Sequence, residues 1–355
     1  MRILVTGGAG FVGSSLAVLL KRDWPKADVV ALDNLKRRGS ELILARLRQA
    51  SVSFVHGDVR IAYDLDNAGG FDVIVECSAE PSVQAGYDGA PAYLIDSNLM
   101  GAINCLEAAR RHKAALVFLS SSRVYPMKAL RDIPLEVSGD RFVVRPGTCG
   151  TGWSEQGIAA NFPLAGARSL YGATKLAAEL LIEEYRALYG LTAIVNRCGV
   201  LTGPWQMGKV DQGVFVLWAA RHLFGGKLSY IGYGGVGRQV RDFLHVEDLY
   251  DLIKLQLNDP APWCAAPHNI GGGPSLSLSL AELTHECRAR AGRSIDIESD
   301  PVDRPYDVPY YVTDTRAVTH QFGWAARRQK AEVLADIFGW LREQEDVLRP
   351  LLGDR

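Results

Sequence analysis

The chain has no uninterrupted apolar run long enough to span a bilayer and almost no excess of either charge, its formal net charge being −1 over 355 residues. The first absence argues against a membrane-spanning helix. The second removes the overall field that would recruit nucleic acid or an anionic membrane, so neither is expected as a partner. Cysteine is sparse and scattered: Cys77, Cys105, Cys149, Cys198, Cys264 and Cys287 form no C-x-x-C pair and no ligand spacing with the seven histidines. No metal site is therefore expected, and the thiols read as reduced, mostly small apolar fillers. There is no internal repeat, charge block or low-complexity linker. A first strand starting at Arg2 leaves no room for a signal peptide, so a cytoplasmic location is expected. What the chain does have is length for about two domains and 48% hydrophobic residues with which to fill their cores.

The N-terminus reads Ile3-Leu4-Val5-Thr6-Gly7-Gly8-Ala9-Gly10-Phe11-Val12-Gly13, and a second apolar run, Val29-Val30-Ala31-Leu32, ends on Asp33. A buried strand, a glycine turn, a helix and a second strand closing on a carboxylate form the unit that binds a dinucleotide. Gly7 and Gly10 permit a tight turn whose N–H groups reach a pyrophosphate, with Phe11 and Val12 opening the helix, and Gly13 lets that helix lie close to its strand. Asp33 would accept hydrogen bonds from the adenosine ribose and repel a 2′-phosphate, which favours NAD over NADP. Lys36, Arg37 and Arg38 temper that preference, although a solvated loop is the simpler reading of them.

Strands are expected at Ser53–Val55, Asp72–Val75, Leu116–Leu119 and Thr192–Val195, alternating with helices at roughly 13–22, 40–50, 97–112 and 169–189. This is the rhythm of an α/β, doubly wound parallel sheet, the NAD(P)-binding Rossmann fold. After about residue 196 the rhythm breaks into Gly/Pro-rich loops, a helix near 211–225 and a strand at 228–231. The expected division is a Rossmann domain over 1–195 that also receives about 244–267, and a smaller discontinuous substrate domain over 196–243 and 268–355. Residues 126–168, rich in Gly, Pro and charge, make a connection of the length that is usually functional or disordered, and a substrate-side lid is the favoured reading.

Tyr171-Gly172-Ala173-Thr174-Lys175 places a phenol and an ammonium one helical turn apart on one face. A neighbouring cation favours phenolate and so lowers the pKa of a tyrosine, making it competent to take a proton from a sugar hydroxyl. Tyr250 and Lys254 repeat the spacing, but no hydroxyl-bearing strand end precedes them, and they read as a core tyrosine beside a solvated lysine. Ahead of Tyr171, by contrast, the strand Leu116–Leu119 runs into Ser120-Ser121-Ser122-Arg123, and a serine there can stabilise charge developing on the reacting oxygen.

With these residues, the chain resembles the extended short-chain dehydrogenase/reductase family of nucleotide-sugar epimerases and dehydratases over nearly its whole length. The matching motifs include Gly7-x-x-Gly10-x-x-Gly13, Asp33-Asn34, Gly57-Asp58-Val59, Ser78-Ala79, Asn98-x-x-Gly101, Tyr171-x-x-x-Lys175, Gly203-Pro204, Arg241-Asp242-Phe243-Leu244-His245 and Arg304-Pro305-Tyr306-Asp307. The resemblance implies a catalytic set of Ser121, Tyr171 and Lys175. It implies cofactor contacts from Asn34, from Asp58 and Val59 beside the adenine, and from Ser78, Ala79 and Asn98. It further implies Arg241 and Arg304 on the substrate pyrophosphate, where a guanidinium fork matches phosphate oxygens, with Ser122, Arg123 and Gln206 also facing substrate. Glu76-Cys77-Ser78-Ala79-Glu80 stands where many relatives carry a His-Leu-Ala-Ala-Gln type of segment, which leaves the contacts of Glu76 and Glu80 open. Pro126 replaces the usual glycine after the Val-Tyr pair.

The family's 4,6-dehydratases carry Asp-Glu directly after the catalytic Ser/Thr, and here those positions hold Ser122 and Arg123. Within the family the chain resembles most the CDP-paratose 2-epimerase (CDP-tyvelose epimerase) group. The features are Arg123, the long insertion before Tyr171, and Gly203-Pro204-Trp205-Gln206-Met207-Gly208 followed by Asp211-Gln212-Gly213. The expected activity is NAD-dependent inversion of a sugar carbon by transient oxidation to a ketose and re-reduction, that of a CDP-sugar 2-epimerase, with a CDP- or UDP-sugar as the expected substrate. A UDP-sugar 4-epimerase, a reductase or decarboxylase that consumes its cofactor, and a non-catalytic dinucleotide sensor are the rival readings. Apolar residues on more than one face of the 97–112 and 169–189 helices, Leu180, Leu181, Ile182 and Tyr185 among them, together with the resemblance, predict a homodimer through a four-helix bundle.

Overall fold

The computed structural model describes residues 1–87, 90–208, 212–264, 266–305 and 307–353, apart from the side chains of Pro262 and Cys264. Asp211, Tyr306 and the side chain of Cys264, all singled out above, lie outside the described residues. Seven parallel strands form the main sheet: β1 Arg2–Thr6, β2 Asp28–Asp33, β3 Ser53–His56, β4 Val73–Glu76, β5 Ala115–Ser121, β6 Ala193–Cys198 and β7 His268–Ile270. Their order across the sheet is β7-β6-β5-β4-β1-β2-β3. The chain therefore reverses direction between β1 and β4, and ligands of such sheets bind in the crevice at that switch point. Side chains of β1 alternate between the two faces, Ile3 and Val5 entering one core and Leu4 the other, all three fully buried.

Helices α1 Phe11–Asp23, α2 Ser40–Gln49, α3 Ala62–Asn67, α4 Gly101–His112 and α5 Leu170–Tyr189 flank the sheet. α4 is entered through a short helix, Ala92–Ile95, and a π-helical turn at Asp96–Met100, so the helical stretch starts ahead of the expected position 97. α3 is an element the sequence pattern did not suggest.

The expected domain boundary shifts at two places. β6 runs on through Arg197 and Cys198, and His268–Ile270, allotted above to the second unit, pairs in parallel with Asn196–Cys198 as the edge strand β7. A polar His-Asn pair separated by a single residue from a glycine run does not look like a strand, but its partner supplies the ladder. The second unit has its own core around Phe215, Trp218, Phe338 and Trp340 and a four-stranded sheet of Val200–Thr202, Val240–His245, Ser277–Ser279 and Tyr310–Tyr311. Residues 126–168 are folded, with a short helix at Met127–Arg131 and hairpins at Leu135–Val144 and Trp153–Ile158. They pack into one cluster with Val240 and Tyr310–Val312 of the second unit.

Candidate active site

A cleft of about 620 Å³ opens at the carboxyl ends of β1, β2 and β4. Gly7 turns the chain at φ +61°, and a Cβ there would stand 2.8 Å from the Cys77 carbonyl oxygen. A Cβ on Gly13 would stand 2.2 Å from the Gly7 carbonyl oxygen, so α1 can approach β1 only with glycine at that position. Gly10 caps α1 without any side-chain hydrogen bond to the helix, which leaves first-turn N–H groups directed at the cleft where an anion is stabilised. The Asp33 carboxylate accepts the N–H groups of Ala9 at 3.0 Å and Leu35 at 2.8 Å. Burial nonetheless pushes its carboxyl upward, the backbone donors offsetting only part. This cradle, with no room for a Cβ at Gly7 or Gly13 and closed by a carboxylate, fits a dinucleotide.

Phe11, Val12, Asn34, Asp58, Val59, Ser78 and Ala79, singled out above, line the same cleft. Burial opposes the charge of Asp58, but hydrogen bonds from Arg60 and Asn34 outweigh it and hold the carboxyl at about 2. Asn98 is placed differently from expectation. It is buried behind the cleft, its side-chain oxygen accepting the Glu80 N–H at 2.7 Å and its amide donating to the Glu80 carbonyl at 3.1 Å. It thus shapes the loop that follows β4 and is absent from the cleft wall. Lys36 and Arg38 are exposed and Arg37 half-buried, as a solvated loop would have them, and all three border the cleft, with the Lys36 ammonium 3.2 Å from the Tyr93 ring centroid.

Ser121 ends β5, and its side chain accepts the Arg123 N–H at 3.2 Å, capping the tight turn Ser122–Val124. α5 starts at Leu170 behind a Ser169 cap. A Cβ on Gly172 would stand 2.0 Å from the Arg123 carbonyl oxygen. That glycine lets the first turn of α5 press on the Ser122–Val124 turn.

Lys175 is buried, with its ammonium 3.5 Å from Glu76 Oε2 and 4.6 Å from the Phe118 ring centroid. Burial opposes the ammonium charge, but Glu76 and Tyr171 outweigh it and shift Lys175 upward. Burial likewise raises the Glu76 carboxyl, with Lys175 offsetting part of the cost. Glu76 is the residue that pattern reasoning left open, because its partner is remote in sequence. By contrast, the Tyr250 reading holds: its ring is buried, although Lys254 reaches Asp23 of α1 at 2.5 Å. Cys149 is exposed, unlike the buried Cys105, Cys198 and Cys287.

A second cavity, of about 300 Å³, lies between the Arg123 turn and the second unit. Arg123, Arg241 and Arg304, singled out above, line it together with Arg221 and Lys227, which sequence reasoning missed on an otherwise apolar helix and the turn behind it. Arg241 is held by Asp307 at 2.6 Å and by the carbonyls of Val240 and Val308. Burial and the facing charge of Arg241 push the Arg123 guanidinium down, and Tyr171 is among the groups that oppose this. Gln206 belongs to the first cleft, where it accepts from Thr202 Oγ1 and donates to the Leu201 carbonyl, shaping the loop. Ser122 is half-buried and lines neither cavity.

Residues 3–271 match the NAD dependent epimerase/dehydratase family. Similar curated proteins include the dTDP-glucose 4,6-dehydratase of Streptomyces niveus, 30% identical over 99% of this chain and 96% of that one. The CDP-paratose 2-epimerase of Salmonella typhi is 28% identical over 96% and 99%. The solved structure of DesIV, a dTDP-glucose 4,6-dehydratase from Streptomyces venezuelae with NAD bound, aligns with a TM-score of 0.80 at 28% identity, over 99% of this chain and 100% of that one. With the glycine cradle, the closing carboxylate and the sheet reversal already in place, the match makes this chain a member of the NAD-dependent epimerase/dehydratase family, with NAD as its cofactor.

Proposed function

We propose that the protein is an NAD-dependent nucleotide-sugar epimerase, acting on a CDP-sugar at carbon 2 in the manner of the CDP-paratose/CDP-tyvelose enzymes. One observation carries this reading: Ser122 and Arg123 follow Ser121, where the family's 4,6-dehydratases place an acid pair. The second cavity supports it, because Asp307 is the sole acid among its described lining residues and is already bound by Arg241. Elimination of water needs an acid and a base beside the sugar, whereas inversion at one carbon needs no such pair.

When bound, NAD supplies reversible hydride acceptance at the sugar carbon. Gly7, Gly10, Phe11, Val12 and Gly13 would hold its pyrophosphate, Asp33 and Asn34 the ribose, Asp58 and Val59 the adenine side, and Ser78 and Ala79 the loop after β4. In this reading Tyr171 Oη takes the proton of the sugar hydroxyl and later returns it, with the buried Lys175 ammonium favouring phenolate. Ser121 donates a hydrogen bond to the same oxygen as charge develops there. The preset forks of Arg241 and Arg304 grip the diphosphate, and Arg123 faces the sugar side of the same cavity. The second unit thus serves as the nucleotide-sugar side of the enzyme.

Exposed Met100, Leu180, Leu188 and Tyr189, on or beside α4 and α5, support a homodimer, for which light scattering is the check. The activity is tested by incubating the protein with a panel of CDP- and UDP-sugars and following proton spectra. Inversion at carbon 2 of a CDP-sugar is the expected result. Inversion at carbon 4 of a UDP-sugar would favour a 4-epimerase, and a 4-keto-6-deoxy product would return the protein to the dehydratases.

A further inference from the structure

We propose that Arg131, in the 126–168 insertion, is a positioning residue for nucleotide-sugar binding: it fixes the backbone that carries Arg304 and Asp307, and through Asp307 it presets Arg241. The proposal rests on the reading of the second cavity as the site of the substrate diphosphate. Arg131 ends the short helix Met127–Arg131, is exposed, and stands outside the lining of that cavity. Its effect on a ligand there must pass through the groups it holds.

Arg131 Nε and Nη2 both donate to the Asp307 carbonyl, at 2.9 and 2.6 Å, and Nη2 also reaches the Arg304 carbonyl at 3.4 Å. Asp307 is thus held at two ends. Its carbonyl lies in the Arg131 fork, while its side-chain Oδ1 accepts Arg241 Nη2 at 2.6 Å. The same Arg241 nitrogen donates to the neighbouring Val308 carbonyl at 2.6 Å. Arg241, Arg304 and Asp307 all line the cavity. One guanidinium outside the cavity therefore fixes a segment that contributes two of its side chains and orients a third.

The helix that presents Arg131 is itself anchored. Met127 and Leu130 are buried in one cluster with Val308 and Tyr310–Val312, and the Met127 N–H donates to the Ala167 carbonyl at 3.0 Å. Further along the insertion, Ile158 pairs with the continuation of the same segment, donating to the Val312 carbonyl at 2.7 Å and accepting the Asp314 N–H at 2.9 Å. A Cβ on Gly157 would stand 2.4 Å from the Val312 carbonyl oxygen, so this pairing needs glycine there. The insertion grips residues 304–314 near both ends, and in this reading it is a brace for the substrate loop where a moving lid was expected.

A guanidinium fork binds two phosphate oxygens best when it is in place before the ligand arrives, because ordering a loop and its side chains opposes association. Without Arg131 that ordering would fall on the binding step. Chemistry at the sugar carbon is left to other residues, so KM should rise while kcat holds. Because Arg131 is exposed, water can solvate the carbonyls it leaves, and the fold should lose little.

The test is calorimetric titration of the NAD-loaded protein with CDP and with UDP. For the diphosphate that wild type binds, Arg131→Met is expected to weaken affinity about fivefold, with the urea midpoint and NAD affinity close to wild type. Arg131→Lys, which offers a point charge in place of the fork, should lose less, and it carries the test if Arg131→Met does not fold. Undiminished diphosphate affinity in a folded variant would overturn the proposal. So would a loss matched by equal losses in NAD affinity and urea midpoint, the mark of a merely structural role. If wild type binds neither CDP nor UDP, the nucleotide-sugar reading of the cavity fails and the proposal falls with it.

Discussion

Arg197 of β6 and Glu179 of α5 face each other inside the protein with their charged groups 2.7 Å apart. Glu179 lies on the same face of α5 as Tyr171 and Lys175. Ser120 also donates to Glu179, while Arg197 donates to Tyr125 Oη at 3.2 Å and to the Ala160 carbonyl at 3.2 Å. Tyr125 in turn donates to Asn269 of β7 at 2.7 Å. One buried polar network thus fastens α5 to three strands and to the 126–168 insertion.

Removing one partner of a buried pair leaves the other charged and unsatisfied. Arg197→Met is expected to cost about 3–5 kcal/mol of stability, read as a lower urea midpoint. Arg197→Lys should rescue little, because an ammonium cannot span carboxylate, phenol and carbonyl as the guanidinium fork does.

Gly172→Ala would force a methyl group into the Arg123 carbonyl, 2.0 Å from the position of the new Cβ. The first turn of α5 must then lift, carrying Tyr171 with it. We expect kcat to fall about 100-fold while NAD binding is preserved, measured as turnover on the best sugar nucleotide and by fluorescence titration of the cofactor.

Tyr171→Phe keeps the ring and deletes the proton acceptor. Turnover is expected to fall by about 10²–10⁴-fold with NAD still bound. Near-normal activity would remove Tyr171 from the mechanism.

His268 of β7 is buried, and burial lowers its pKa to about 4 from the ordinary 6.5. The unfolded chain therefore binds a proton that the folded protein rejects. The contribution of His268 is complete above pH 6.5 and is lost as pH falls toward 4, by about 3 kcal/mol. Asp242, fully buried and raised to about 6, acts in the opposite sense: its contribution is complete at acid pH and is lost as pH rises through 6. Urea midpoints of wild type and His268→Leu between pH 4 and 7 should therefore diverge: the two opposing contributions largely offset each other in wild type, whereas the variant, left with Asp242 alone, should lose stability as pH rises toward 6.

Strands β1 to β6 were legible because each is a short apolar run, and the glycine cradle was legible because its glycines and Asp33 are close in sequence. Tyr171 and Lys175 could be picked out from the Tyr250–Lys254 pair by the serines ahead of them. β7 was not legible: His268–Ile270 is short and polar, and only its pairing with Asn196–Cys198 makes it a strand. The place of Asn98 was also missed, because a motif says that a residue recurs without saying whether it faces a ligand or a loop. The partners of Glu76 and Glu179, and the basic lining from Arg221 and Lys227, depend on crossings between elements that periodicity does not encode.

The late arrival of β7 bears on how the protein is made. On a ribosome, β6 emerges with one edge bare, and the strand that covers it appears only after residues 199–267 have been synthesised, most of them belonging to the other unit. Until then the nascent large unit presents six-residue β6 as its edge, a longer bare strand than the three-residue β7 that finally covers it, and a long bare edge invites mispairing. Ending the gene after β6 should therefore yield an aggregating fragment, because the large unit completes its sheet only with a strand that follows most of the second unit.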